Sequence, residues 1–206
     1  MTRSELVKQT KLAFDFIQKL YFEVSYLIKE MEGLFSEEED PFIICRPSGY
    51  SINTRSSNGL DANIVHFWLL RKLSVAFVKP ESSPIERGQT ITAIQPETKI
   101  IYLRIILDDK DIPEPTLYCG VLYDFYKKNH TSKWPTKLEQ LLTTIEYNEA
   151  KVFAHPEAIQ YEDLNVRFKG KLFNLPLYDI NSSKEIYEKI ITPALELYHE
   201  TKAGKS

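Results

Sequence analysis

Residues 99–127, KIIYLRIILDDKDIPEPTLYCGVLYDFYK, are the densest run of strand-forming side chains in the chain, and the rest is read outward from them. Side chains alternate across a strand. Ile101, Leu103, Ile105 and Leu107 therefore share one wholly apolar face, while Ile100, Tyr102, Arg104 and Ile106 share a mixed one. The segment from Leu117 to Tyr126 alternates likewise, with Cys119, Val121, Tyr123 and Phe125 opposite Tyr118, Leu122, Asp124 and Tyr126. Gly120 interrupts it, the mark of a bulge or a close backbone approach. The polar, proline-bearing DDKDIPEP cannot continue a ladder, so the stretch predicts an antiparallel hairpin whose apolar side meets a core and whose mixed side is partly covered.

Upstream, residues 3–32 predict one long helix. Thr2 and Glu5 have capping-box spacing, and Gly33 is the expected stop. Leu6, Ala13, Leu20, Leu27 and Leu34 recur every seventh residue with Ile17, Val24 and Met31 between them, a seam interrupted by Thr10. Such a stripe either lies across a sheet or pairs two copies of the chain. Phe14, Phe16, Tyr21, Phe22 and Tyr26 widen it, which favours packing against the sheet over a homodimer. The acidic run SEEED at 36–40 is read as a solvated linker.

From Phe42 the period changes to two. FIIC is a strand, TRSSNGLDAN a turn, and IVHFWLLRKLSVAFV at 64–78 a long half-buried strand. Thr90–Gln95 adds a short strand. Beyond the hairpin, Leu138, Leu141, Leu142 and Ile145 line a short helix opened by Thr136 and Glu139. Residues 148–163 read as irregular. Leu164, Val166, Phe168 and Leu172 alternate with Asn165, Arg167, Lys169 and Lys171 in an amphipathic strand. Ser182 and Glu185 open a last helix that faces inward through Ile186, Ile190, Ala194 and Leu197, with Pro193 expected to kink or divide it. The expectation is a single α+β domain over residues 1–206. It has a long N-terminal helix, a mainly antiparallel sheet of about five to seven strands centred on 42–127, and a helix–strand–helix region over 136–200 that ends in a C-terminal helix.

Composition narrows the function classes. The chain has 206 residues, 43% hydrophobic, with net charge -3, which argues against bulk attraction to nucleic acid or anionic membrane. No apolar run approaches the length of a membrane span and no secretory signal opens the chain, so a cytoplasmic location without membrane contact is expected. Cys45 and Cys119 sit inside apolar strand patterns and are expected to be reduced and buried. Dinucleotide, P-loop, serine-hydrolase and zinc-protease motifs are all missing. The four histidines, His66, His130, His155 and His199, have no metal-ligand spacing, so neither a metal nor a cofactor is expected. The Asp108, Asp109 and Asp111 loop reads as a hydrated turn.

Three function classes remain. Arg46, His66, Trp68, Lys72, Tyr102 and Arg104 fall opposite apolar faces or at strand bends, an aromatic and cationic set of the kind enriched where proteins bind partners. The leading expectation is thus a non-catalytic binding or accessory module with a protein partner. A second class rests on Asp61, Glu97 and Lys99. Their order resembles the acid–acid–lysine arrangement of restriction-type nucleases. That resemblance implies magnesium held by the carboxylates and a lysine supporting the attacking water. A third class is nucleic-acid binding without chemistry. Between Phe42 and Lys79 five basic residues face one acid, and between Lys127 and Lys137 there are four lysines and no acid, with aromatics in both segments.

Overall fold

The structure, a computed structural model, describes residues 1–39, 41–45, 70–79, 94, 97–127 and 138–202. Among them six strands form one wholly antiparallel sheet. These are β1 (Ile43–Cys45), β2 (Lys72–Val78), β3 (Ile100–Ile106), β4 (Thr116–Lys127), β5 (Ile159–Glu162) and β6 (Val166–Pro176), in the order β1-β2-β3-β4-β6-β5. The hairpin read from residues 99–127 is its centre, with Ile100 opposite Leu122 and Ile106 opposite Thr116.

Helices cover both sides. On one side α1 (Arg3–Ser36), α4 (Ser183–Ile186) and α5 (Thr192–Glu200) seal a core containing Leu73, Val75 and Phe77 of β2, Ile101, Leu103 and Ile105 of β3, and Leu117, Cys119 and Val121 of β4. On the other, α2 (Leu138–Tyr147) and α3 (Glu149–Val152) seal a second core around Ile100, Tyr102, Leu122 and Phe168. The predicted apolar and mixed faces of β3 are therefore the two faces observed. The mixed one is covered fully rather than partly, since every residue of β3 is buried.

Four details depart from the sequence reading. The β4–β6 register slips between Tyr123 and Tyr126, where Asp124 adopts φ 58°. One extra residue reverses the parity of the strand beyond it, so Phe125 joins the second core rather than the face of Cys119 and Val121. Residues 148–163 are not irregular: α3 and a 3-10 turn at Pro156–Ala158 lead into β5, whose Ile159 and Tyr161 point inward. Leu164 belongs to the β5–β6 turn, where the Asp163 carboxylate accepts from the amides of Asn165 and Val166, both at 2.7 Å, and leaves Leu164 exposed. Gly33 does not stop α1, because Leu34 and Phe35 extend the buried face another turn. The strand readings over 46–69 and 90–95 lie outside the described residues, apart from Ile94.

The N-terminal ends of α1 and α4 follow their sequence signals. At Thr2 the capping box is complete: Glu5 N–H donates to Thr2 Oγ1 at 3.3 Å and Thr2 N–H to Glu5 Oε2 at 2.6 Å. Ser182 caps α4 by accepting from Glu185 N–H at 3.2 Å. A π turn at Tyr187–Ile191 then precedes α5, whose first turn contains Pro193. The wider turn absorbs the amide that proline lacks, which divides the helix as expected without turning the chain away from the core.

Attachment of α1 to the sheet begins only near its middle. Tyr21 Oη accepts from Leu70 N–H at 2.9 Å and lies 3.2 Å from Leu70 O, and Val24, Leu27, Met31 and Phe35 are buried. Burying a large apolar side chain stabilises by about 1.5–3 kcal/mol, so those four anchor the C-terminal half. Residues 3–16 are all exposed. The helix is thus body-bound from Ile17 onward and overhangs before it.

Candidate functional site

Of the predicted binding set, Lys72, Tyr102 and Arg104 come together, while Arg46, His66 and Trp68 lie outside the described residues. Register explains the meeting. Ser74 is opposite Arg104 and Ala76 opposite Tyr102 in the β2–β3 pair, so Lys72, Ser74, Tyr102 and Arg104 share one face. Onto it α2 and α3 deliver Glu146 and Glu149. The Arg104 guanidinium bonds the Glu149 carboxylate, which also accepts from Lys72 Nζ at 2.7 Å; Lys72 in turn pairs with Asp109. Ser74 Oγ donates to Glu146. Phe153 completes the cover, with its ring centroid 5.0 Å from Arg104 Cζ and 6.0 Å from the Tyr102 ring.

The cluster is a latch. Arg104 is 2% exposed and Tyr102 is fully buried, so these two side chains of the expected set lie inside the cluster. The reason is that α2 and α3 cover this side of the sheet and bring carboxylates to the cations. Sequence reading found the cations and missed Ser74, Asp109, Glu146 and Glu149. Their signal is pairing between segments tens of residues apart, which no local pattern carries.

Electrostatics in the latch follow from burial and partners. Burial works against the charges on Arg104 and Lys72. For Arg104 its interactions with Tyr102 and the Glu149 carboxylate outweigh it, and for Lys72 the bonds to Asp109 and Glu149 do, so both pKa values are raised. The Lys72 bond and the Asp111 N–H hold the Asp109 carboxyl below its usual range. Burial pushes Glu146 up, partly offset by Ser74 and Arg104. A carboxyl whose folded pKa exceeds its unfolded one binds its proton more readily when folded, so its contribution is present at low pH and is lost as pH rises through the folded value. Glu146→Gln, which cannot ionise, is expected to lose less stability between pH 5 and pH 8 than the parent. Denaturant midpoints at both pH values check this, and an unchanged difference would show that Glu146 does not set the slope.

The nuclease set fares as follows. Asp61 lies outside the described residues, and Glu97 is exposed ahead of β3. Lys99 is committed elsewhere: its Nζ donates to the carbonyl of Thr201 at 3.0 Å and to that of Tyr198, and stands 4.1 Å from the Tyr198 ring centroid. It caps the carbonyl end of α5, where a cation is favoured. Burial and the nearby Lys79 lower its pKa. Among the described residues no three His, Cys, Asp or Glu side chains converge to hold a metal ion.

Most of the two basic segments read for nucleic acid also lies outside the described residues. Within them Arg71 pairs with Asp108 at 3.2 Å, Lys72 belongs to the latch, and Lys79 lies over the Phe42 and Tyr198 rings. Cys45 and Cys119 are buried thiols, and burial pushes Cys119 up to about 12, so it stays protonated at neutral pH.

Among the described residues, exposed large apolar side chains concentrate on α1. Leu6, Val7, Leu12, Phe14 and Phe16 are between 46% and 62% exposed, and Phe22 and Tyr26 are exposed beyond them. Of the aromatics expected to widen a core-facing stripe, Tyr21 does meet the body through Leu70, whereas Phe14, Phe16, Phe22 and Tyr26 are exposed. Beside the attached half of α1 runs a groove of about 610 Å³, floored by Leu20, Val24, Leu27, Leu177, Ile180 and Ile186. Among the described residues no helix is long and apolar enough to cross a membrane. No family model, no curated protein and no solved structure matches the chain.

Proposed function

We propose that this protein is a non-catalytic cytoplasmic binding module that works through protein–protein contact, and that the contact surface is the overhanging half of α1 rather than the sheet. One observation carries the reading: five large apolar side chains within residues 6–16 are about half exposed or more, on a stretch of α1 in which every residue from Arg3 to Phe16 is exposed. Monomers seldom leave a contiguous apolar patch of more than a few hundred Å² uncovered. At ~200 Å² for a large side chain, the five leave on the order of 500 Å² exposed on this one segment. Arg104 and both thiols are buried, and Lys72, Asp109 and Glu149 are paired with one another or with Arg104, so these groups hold the fold together. That supports a binding role over a catalytic one.

Native mass spectrometry of protein purified from its own host tests the reading. The expected result is bound protein mass above 24.0 kDa that is lost in a Phe14→Glu/Phe16→Glu variant. Both positions are exposed, so the domain itself is expected to melt as the parent does. Mass that is indifferent to those substitutions, or metal-dependent turnover of a nucleic acid by the purified protein, would remove the proposal.

A further inference from the structure

We infer that the occupant of this surface is a second copy of the chain, laid antiparallel so that each overhang fills the groove beside the other copy's α1; the inference rests on the reading of α1 as a contact surface. Three observations carry it.

The first is charge. Along α1, residues 3–19 hold Arg3, Lys8, Lys11 and Lys19 against Glu5 and Asp15, whereas residues 20–36 hold Lys29 against Glu23, Glu30 and Glu32, with Glu37, Glu38 and Glu39 following. The helix is basic at its free end and acidic at its attached end. Antiparallel pairing sets each basic half against an acidic one. Parallel pairing opposes like to like, at a cost that excludes wrong arrangements.

The second is fit. At ~1.5 Å per residue the overhang from Arg3 to Phe16 is about 21 Å long, and the groove wall from Leu20 to Glu30 is about 15 Å. The overhang therefore spans the groove. Glu23 and Glu30 line that groove with the single cation Lys29, so Lys8 and Lys11 of the incoming helix meet carboxylates while its Leu6, Leu12 and Phe16 meet the apolar floor.

The third is area. A two-fold arrangement buries two overhangs and two grooves. With on the order of 300 Å² of apolar surface from Leu6, Leu12 and Phe16 on each overhang and a smaller area in each groove, it removes about 1,000 Å², the lower end of what a specific interface buries. The contact is isologous and closes on itself, so it stops at two copies.

Sedimentation velocity and native mass spectrometry of the full chain test this. The expected species is twice 24.0 kDa. Lys8→Glu/Lys11→Glu alone and Glu23→Lys/Glu30→Lys alone are each expected to weaken association by on the order of tenfold or more, because each sets like charges face to face. All four substitutions in one chain are expected to restore it. Only the antiparallel arrangement predicts that rescue, since parallel pairing opposes like to like in both the parent and the fully exchanged chain. Failure of the four together to recover association overturns the arrangement. A heterologous protein bound through Phe14 and Phe16 overturns self-pairing and leaves the contact-surface reading standing. A bare 24.0 kDa species at every concentration, in protein from its own host, overturns both.

Discussion

Gly120→Ala is expected to destabilise the fold by about 4 kcal/mol, at the upper end of what one substitution does, and to lower Tm by about 10 °C. The reason is the path of β6. A Cβ at residue 120 would stand 2.0 Å from the carbonyl oxygen of Lys171 and 2.8 Å from Leu172 Cα. Both obstacles are backbone, and both belong to the strand that pairs with this one, where Gly120 is opposite Leu172. Relief requires β4 and β6 to separate at the centre of the sheet, with loss of ladder bonds that nothing else satisfies. Gly170 supplies the comparison. A Cβ there would meet Leu122 Cδ2 at 2.4 Å, and Ile159 Cδ1 and the Val121 carbonyl oxygen at 3.2 Å; the closest obstacle is the end of a side chain, so Gly170→Ala is expected to cost about 2 kcal/mol. Thermal or denaturant unfolding of the two variants checks the ordering. A Gly120→Ala chain no less stable than Gly170→Ala would mean that the strands do not approach as described.

That glycine also shows what a sequence can and cannot reveal. Its interruption of an alternating strand marked a close approach or a bulge, and the approach was found. The bulge lies a few residues away at Asp124, whose positive φ has no signature in YDFY. Strictly periodic features were legible: the two faces of β3, the apolar side of α2, the Thr2 and Ser182 caps. Each is decided by neighbours within a few residues. Features decided by distant contact were not. Ile159 to Glu162 is too short for its period to stand out, and it becomes a strand because β6 offers an edge. Arg104 reads as a surface cation because most arginines are. Only the approach of α3, 45 residues on, makes it a core residue. For the candidate site, the cations and the α1 seam were on the page, whereas the carboxylates that close the first and the bare end of the second required coordinates.

The latch yields the other large effect, and its asymmetry is the informative part. Glu149→Ala is expected to destabilise by about 3–5 kcal/mol, because it strands a buried guanidinium that cannot shed its proton. Arg104→Met is expected to cost only about 1 kcal/mol. Methionine follows the same path beneath Phe153, and the Glu149 side chain, 38% exposed, keeps Lys72 and reaches water. Combining Arg104→Met with Glu149→Ala should then recover most of what Glu149→Ala alone loses, since an apolar replacement of a buried pair is often close to neutral. Denaturant unfolding of the two single variants and the double variant gives the coupling directly. If Arg104→Met proved the costlier single change, the pair would be acting through the stem of the arginine and the packing of Phe153, and its charge would be incidental. If the double variant lost the sum of the singles, the two groups would not be joined across the α3–sheet boundary at all. The expected order instead makes α3 a lid fastened by charge over the mixed face of β3, which is why that face carries a buried arginine.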